Sequence, residues 1–350
     1  MASWTFWLAG EDGSAHYRGV LPAYALSWED HDAAYGMRLK MEHLGADIVV
    51  ASRLAHPNSM DVWRRMKIDY PKTKTFIDID DDYFNIEKTN RGAWQFWEEG
   101  FNPDGTVVQE GGLLNNLRES MRLAFGVTCC SDKIAESVAR QGIPEQRIHV
   151  VENGLHAGIK NVVRDYNPDM LTIGWAGSEN TAAWLPMIKD VINSAAKGAL
   201  GPVPYVQFVG IHHDHAGKLG FRWRHGQCIE WVKAYENGFD DYLHEVSKID
   251  IWLAPYEKTP FTEAKFPTKG LESGFLAVPI IASDIPPYRN WIRHGWNGYL
   301  ARNRSDWMLY LKHLLNDGEL RMRMGLNNDR RASRNTMQAV AKWWEAACLN

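Results

Sequence analysis

Residues 249–292 read IDIWLAPYEKTPFTEAKFPTKGLESGFLAVPIIASDIPPYRNWI. The apolar runs 249–254 and 277–282 have strand character and bracket a short segment carrying Glu263, Lys265, Lys269 and Glu272. A strand–loop–helix–strand unit with charges at the mouth of a parallel sheet is where open α/β folds place ligands. Proline is tolerated at the start of a helix and costly deeper inside. A helix is therefore expected to begin near Pro267, with Lys265 in the loop before it. Lys269 and Glu272, three residues apart, then share one face of its opening turns.

Two cations beside a helix N-terminus, with its free N–H groups and partial positive charge, suit a phosphate. The dipole alone supplies about 0.3–2 kcal/mol, so the lysines do most of the work of neutralising a diphosphate. Glu272 suits ribose hydroxyls, as acids do in nucleotide-binding folds. Gly270 and Gly274 each weaken a helix by about 1 kcal/mol relative to alanine, which predicts something packed close to this backbone. An ordinary surface helix with solvated charges fits the same spacing equally well.

Outward from that stretch, strand-like runs at 4–9, 47–51, 75–79, 126–130, 149–151, 171–175 and 206–209 alternate with amphipathic or helical segments. Ser131 is a natural N-cap for a helix over 132–141, with Gly142 as its stop. A further helix is expected over 182–196. Residues 87–112 break periodicity and carry Trp94, Phe96, Trp97 and Phe101, the pattern of a functional loop and the expected seat of acceptor specificity. Periodicity is lost again over 155–168, read as an interdomain linker. The expected class is α/β, with Rossmann-like domains over 1–165 and 166–330 facing a central cleft, and a C-terminal helix in 331–350 packing back on the first.

With 350 residues the chain can bury a large core, and its net charge of −4 gives no general pull toward nucleic acid or anionic membrane. The four cysteines form no CxxC pair; vicinal Cys129 and Cys130 end a buried strand. His212, His213, His215 and His225 cluster without a spacing that puts three metal ligands on one regular face. No run approaches the ~20 apolar residues of a membrane span, and a cytoplasmic location is expected. The first strand leads into a turn with Gly10 and Gly13, but the GxGxxG dinucleotide spacing is absent. Gly13, His16 and Arg18 in this region are candidate acceptor-side contacts, Arg18 through a phosphate or acceptor group. Asp80, Asp81 and Asp82 follow a strand end and suit a metal–diphosphate site, an acceptor cleft or a simple turn cap.

Several pieces, in order, resemble the GT-B glycosyltransferases of the large retaining glycogen-synthase-like and sucrose-synthase-like family, above all its bacterial and bacteriophage branch. They are HYRGVLP (16–22), TFIDIDDDYFNI (75–86), VTCCSDKIAESV (127–138), HVVENGL (149–155), LTIGWAGSENT (171–181), IDIWLAPYE (249–257) and the long run 265–300. The resemblance implies transfer of a sugar from a nucleotide-diphosphate sugar to an acceptor (a protein, a glycan or a modified nucleobase), with retention and without a metal or other cofactor. Glu272 falls on the second acid of the family motif, which contacts ribose; Ala264 falls on the first, and Glu263 is the nearest acid. Lys265 and Lys269 match the lysines that hold the diphosphate and assist its departure, with Gly177, Ser178 and Thr181 lining the donor pocket. Asp81 and Asp82, with Asp80 beside them, are the candidates for acceptor-side chemistry. The alternatives are a metal-dependent GT-A-type transferase using Asp80–Asp82, a nucleotide-sugar epimerase on the same fold, and a degenerate nucleotide-sugar-binding protein.

Overall fold

Parallel strands covered on both faces read as continuous apolar runs, and the strands through Val49-Val50-Ala51 and Ile280-Ile281-Ala282 are fully buried for that reason. In the computed structural model, which describes residues 1–102, 104–155, 170–230, 233 and 239–349, twelve strands form two sheets. All pairings are parallel. The first sheet contains β1 (Ser3–Trp7), β2 (Asp32–Gly36), β3 (Ile48–Ser52), β4 (Lys74–Ile79), β5 (Gly126–Cys129) and β6 (Ile148–Val150), in the order β2-β1-β3-β4-β5-β6. The second contains β7 (Thr172–Ala176), β8 (Tyr205–Val209), β9 (Gly226–Ile229), β10 (Ile251–Ala254), β11 (Ile280–Ser283) and β12 (Gly298–Ala301), in the order β12-β11-β10-β7-β8-β9.

The chain divides into two compact units that are not two uninterrupted stretches. The first takes Met1–Leu155, Thr259–Phe266 and Asn335–Asn350; the second takes His156–Lys258 and Pro267–Arg334. The linker expected over 155–168 lies, beyond Leu155, outside the described residues. In the first unit the Met337–Cys348 helix buries Trp344 edge-on against Phe6, ring centroids 5.2 Å apart. In the second, a core through Ile173, Trp175, Phe208, Leu253 and Ile281 fills the space between sheet and helices.

Three strands escaped the sequence reading: β2, β9 and β12. All three lie at sheet edges, where one flank faces solvent and the apolar run is lost. The helix expected over 182–196 is instead a short helix Glu179–Ala182, a 3-10 turn Leu185–Ile188 and a helix Lys189–Ala195. Pro186 has no N–H to continue the α-helical ladder. Segment 87–112 is not wholly irregular: helix Arg91–Trp94 runs into a π-helical turn, Gln95–Glu99. Gly100 ends that turn at φ +80°, where a Cβ would fall 1.7 Å from the Gln109 carbonyl oxygen. Ser131 caps Asp132–Arg140 by accepting from the Ile134 N–H at 3.2 Å, and Gly142 follows at φ +84°. Among the described residues no helix is long and apolar enough to cross a membrane.

Candidate functional site

In open α/β sheets, ligands bind beyond the strand carboxyl ends where the strand order reverses. In the second unit that reversal lies between β7 and β10. Gly177 follows β7 and Tyr256 follows β10, and both meet Lys269. The Lys269 ammonium donates to the Tyr256 hydroxyl at 2.9 Å and lies 5.3 Å from the Tyr256 ring centre and 5.7 Å from that of Trp175. A Cβ on Gly177 would sit 2.4 Å from Thr181 Oγ1 and 3.2 Å from Lys269 Nζ, so glycine lets this backbone approach the cation. Thr181 Oγ1 donates to the Ser178 carbonyl at 2.9 Å, and Ser178 itself is exposed at the N-cap of Glu179–Ala182.

Lys269 is 7% exposed, and among the described residues no carboxylate lies within ion-pairing distance of it. Buried charges are as a rule paired. An aromatic cage and a phenol hydroxyl offset only part of the desolvation of an ammonium, by about 2 kcal/mol for a desolvated cation–π contact. Lys269 stands in the first turn of helix Thr268–Phe275, whose N-cap is Pro267, and the opening N–H groups of a helix have no internal acceptor. Glu272, one turn on, is 4% exposed and accepts from the Tyr242 hydroxyl at 3.0 Å. What packs against Gly270 and Gly274 is the protein itself: a Cβ would meet the Trp291 ring at 2.7 Å and Ala332 Cβ at 2.6 Å.

Lys265 and Glu263 belong to the first unit. Lys265 is the C-cap of helix Pro260–Ala264, and its ammonium binds Asp81 Oδ1 at 2.6 Å. Ser131 Oγ donates to the Ala264 carbonyl at 2.5 Å and ties this segment to the same unit. The expectation that Lys265 and Lys269 neutralise one diphosphate side by side is therefore corrected: the charge of Lys265 already has a carboxylate partner. Glu263 is half-buried on the same helix.

In the first sheet the order reverses between β1 and β3. Asp12 lies beyond β1, where it caps the short helix Gly13–Ala15 by accepting from the Ala15 N–H at 2.9 Å. Arg53, directly after β3, ion-pairs with Asp12 at 2.6 Å and faces Asp80 at 3.5 Å. Its φ of +35° is unusual for a non-glycine residue and costs of order 1–3 kcal/mol, and such strain concentrates at functional sites. Tyr83 donates to Asp80 Oδ1 at 2.5 Å and packs on Trp97 of the π-helical turn, ring centroids 4.3 Å apart. Burial works against the charge of Asp80, but Arg53, the hydroxyls of Ser14 and Tyr83 and nearby Lys265 together hold its pKa below the usual carboxylate range. Burial raises the pKa of Asp81, and Lys265 offsets only part of that rise.

Two acceptor-side expectations are corrected. Arg18 is 2% exposed and fully engaged: Nη2 and Nε donate to Asp78 at 2.7 and 3.0 Å, and Nη1 donates to the Val151 carbonyl and, at 3.0 Å, to Asn153 Oδ1. It fastens β4 to the chain after β6 and is closed to a substrate. Asp82 is 3% exposed and accepts from Ser137 Oγ at 2.6 Å and Asn85 Nδ2 at 2.8 Å, a buried tie and not a reacting carboxylate. Nδ2 of Asn335 and the close approach of Gly154 to Val340 give the 152–154 turn a structural role. His16 opens the π-helical turn His16–Val20; its Nε2 is shut off from solvent, and burial pushes its pKa down to about 3.

Sequence reasoning missed Arg53, Tyr83 and Tyr256. The available signal was position: Arg53 and Tyr256 follow the carboxyl ends of apolar runs that had been read as strands. His212 Nε2 faces Glu230 at 3.2 Å, and among the described residues no three His, Cys, Asp or Glu side chains are grouped to hold a metal.

No family model matches the sequence, and no curated protein matches it. Solved structures do match its fold. HepE of Anabaena, solved in complex with UDP-glucose, is 11% identical with TM-score 0.65, the match covering 99% of each chain. Sucrose-phosphate synthase of Thermosynechococcus elongatus is 11% identical with TM-score 0.64, over 99% of this chain and 98% of that one. A glycosyltransferase of Rickettsia africae is 12% identical with TM-score 0.63, over 99% and 97%. The fold is GT-B, and a GT-A-type transferase is set aside.

Proposed function

We propose that the chain is a glycosyltransferase that takes a sugar from a nucleotide-diphosphate sugar, with the donor in the second unit and the acceptor in the first. The observation that carries this is Lys269: a buried ammonium with no carboxylate partner, at the β7/β10 reversal, beside a glycine that admits close approach. An anion completes that environment, and a diphosphate reaches both the ammonium and the first-turn N–H groups of Thr268–Phe275. As the bond to the sugar breaks, charge grows on the leaving diphosphate, and donors already in place stabilise it. Glu272 takes the ribose hydroxyls in the role the resemblance implies. UDP is the favoured carrier because HepE, of the same fold, was solved with UDP-glucose.

Retention of configuration, independence from metal and a protein, glycan or modified-nucleobase acceptor remain the reading that the sequence resemblance supports. The nucleotide sugar is a co-substrate, and no resident cofactor is invoked. A thermal-shift screen tests the assignment, because a ligand that binds only the native state raises the melting temperature by mass action. UDP and UDP-glucose are expected to raise it and uridine to leave it unchanged. Absence of a shift with every nucleoside diphosphate contradicts the assignment.

A further inference from the structure

Four aspartates crowd the end of β4, and their surroundings differ. Asp78 is 1% exposed, shared between Arg18 and Thr128 Oγ1. Asp82 is closed off by Ser137 and Asn85. The side chain of Asp80 is 12% exposed and is held by Arg53, Tyr83 and Ser14. That of Asp81 is 26% exposed, the most open of the four, and a single hydrogen bond, from Lys265 to Oδ1, holds it.

We infer that Arg53 is a positioning residue of the acceptor side: it anchors Asp80 and leaves Asp81 as the carboxylate that receives the proton of an acceptor hydroxyl. The inference rests on the glycosyltransferase reading. Arg53 stands at the strand-order reversal of the first sheet, reaches Asp12 beyond β1 and Asp80 beyond β4, and receives the Asp78 carbonyl on its own N–H at 2.9 Å. Its charge and geometry set which of two adjacent carboxylates is tied and which is open. Lys265 orients Asp81 through Oδ1, and Oδ2 remains to accept a proton.

In the step, the acceptor O–H bond breaks and its proton passes to Asp81. The acceptor oxygen bonds to the anomeric carbon, and the bond from that carbon to the diphosphate oxygen breaks, its electron pair leaving with the nucleotide. The directions of titration agree with this division, Asp80 being held down and Asp81 pushed up. The groups facing Asp81 are Lys265, Asp80, Arg53, Tyr83 and Cys130.

The test has two arms. In the first, carboxyl 13C NMR follows Asp80 and Asp81 from pH 3 to 9 in the whole chain and in Arg53→Lys and Arg53→Ala. Asp81 is expected to titrate above Asp80 in the wild type and in Arg53→Lys, with Asp80 rising toward Asp81 in Arg53→Ala. Equal titration of the two in the wild type, or an unmoved Asp80 in Arg53→Ala, overturns the inference whatever the donor. In the second arm, UDP release from UDP-glucose is measured with water as acceptor. Asp81→Asn is expected to lower kcat about 10²–10⁴-fold, the usual contribution of a general base, with KM within about twofold. Arg53→Ala lowers kcat less, and Arg53→Lys restores part of it. An Asp81→Asn chain as active as the wild type overturns the inference. Calorimetry with UDP reads the glycosyltransferase assignment separately, since a wild-type chain that binds no UDP fails that assignment even where the aspartates titrate as stated.

Discussion

The two strand-order reversals carry opposite electrostatics. At β1/β3, Arg53 and Lys265 each have carboxylate partners, Asp12 with Asp80 and Asp81. At β7/β10, Lys269 has only aromatic faces and a phenol hydroxyl. The first is closed in charge and open to hydrogen bonding, the character of a place for a neutral hydroxyl compound. The second is complete only with an anion. Two units built on the same kind of parallel sheet thus divide a transfer reaction by charge, under the glycosyltransferase reading.

The largest effect expected from breaking this contrast is structural. Arg18→Met leaves Asp78 buried and unpaired and is expected to destabilise the chain by about 3–5 kcal/mol in urea denaturation, the usual effect of halving a buried ion pair. A loss below about 1 kcal/mol would mean that Arg18 is not the tie described. Next, Gly177→Ala forces a Cβ into the space of Thr181 Oγ1 and the Trp175 ring, 2.4 and 2.8 Å away. Overpacking of this kind costs about 1–3 kcal/mol. UDP binding by calorimetry is expected to weaken with it; an unchanged affinity would separate Gly177 from the donor site. The smallest effect concerns Glu272→Gln, which removes the charge from a ribose contact. Wild type is expected to prefer UDP over 2′-deoxy-UDP by about 1.5 kcal/mol, and the variant to lose most of that preference. Equal preference in both chains would take Glu272 off the ribose.

Much of this was legible in the sequence. Buried parallel strands announce themselves as apolar runs, and the residues Gly177, Thr181, Lys269 and Glu272 lie in one unit as their spacing and the resemblance implied. The division at 258/259 and 266/267 was not legible, because no composition shift marks the point where a chain leaves one core for another. It also parted Lys265 from Lys269, four residues apart yet in different units. Arg18 and Arg53 illustrate a second limit. Both are arginines after early strands, and only burial distinguishes them, Arg18 enclosed by Asp78 and Asn153 and Arg53 half-open at a strand-order reversal. The π-helical turns at His16–Val20 and Gln95–Glu99 leave no sequence periodicity of their own.

The central claim is that Lys269 is held for an anionic ligand and not for the fold. Calorimetry of UDP and of uridine, on wild type and Lys269→Met, tests it alongside thermal denaturation of both chains without ligand. The account predicts that wild type binds UDP at least about tenfold more tightly than uridine, that the variant binds the two alike, and that the unliganded variant melts no lower, since replacing an unpaired buried charge with an apolar side chain is neutral or stabilising. A variant that binds UDP as tightly as wild type, or one that unfolds many degrees earlier, would contradict it.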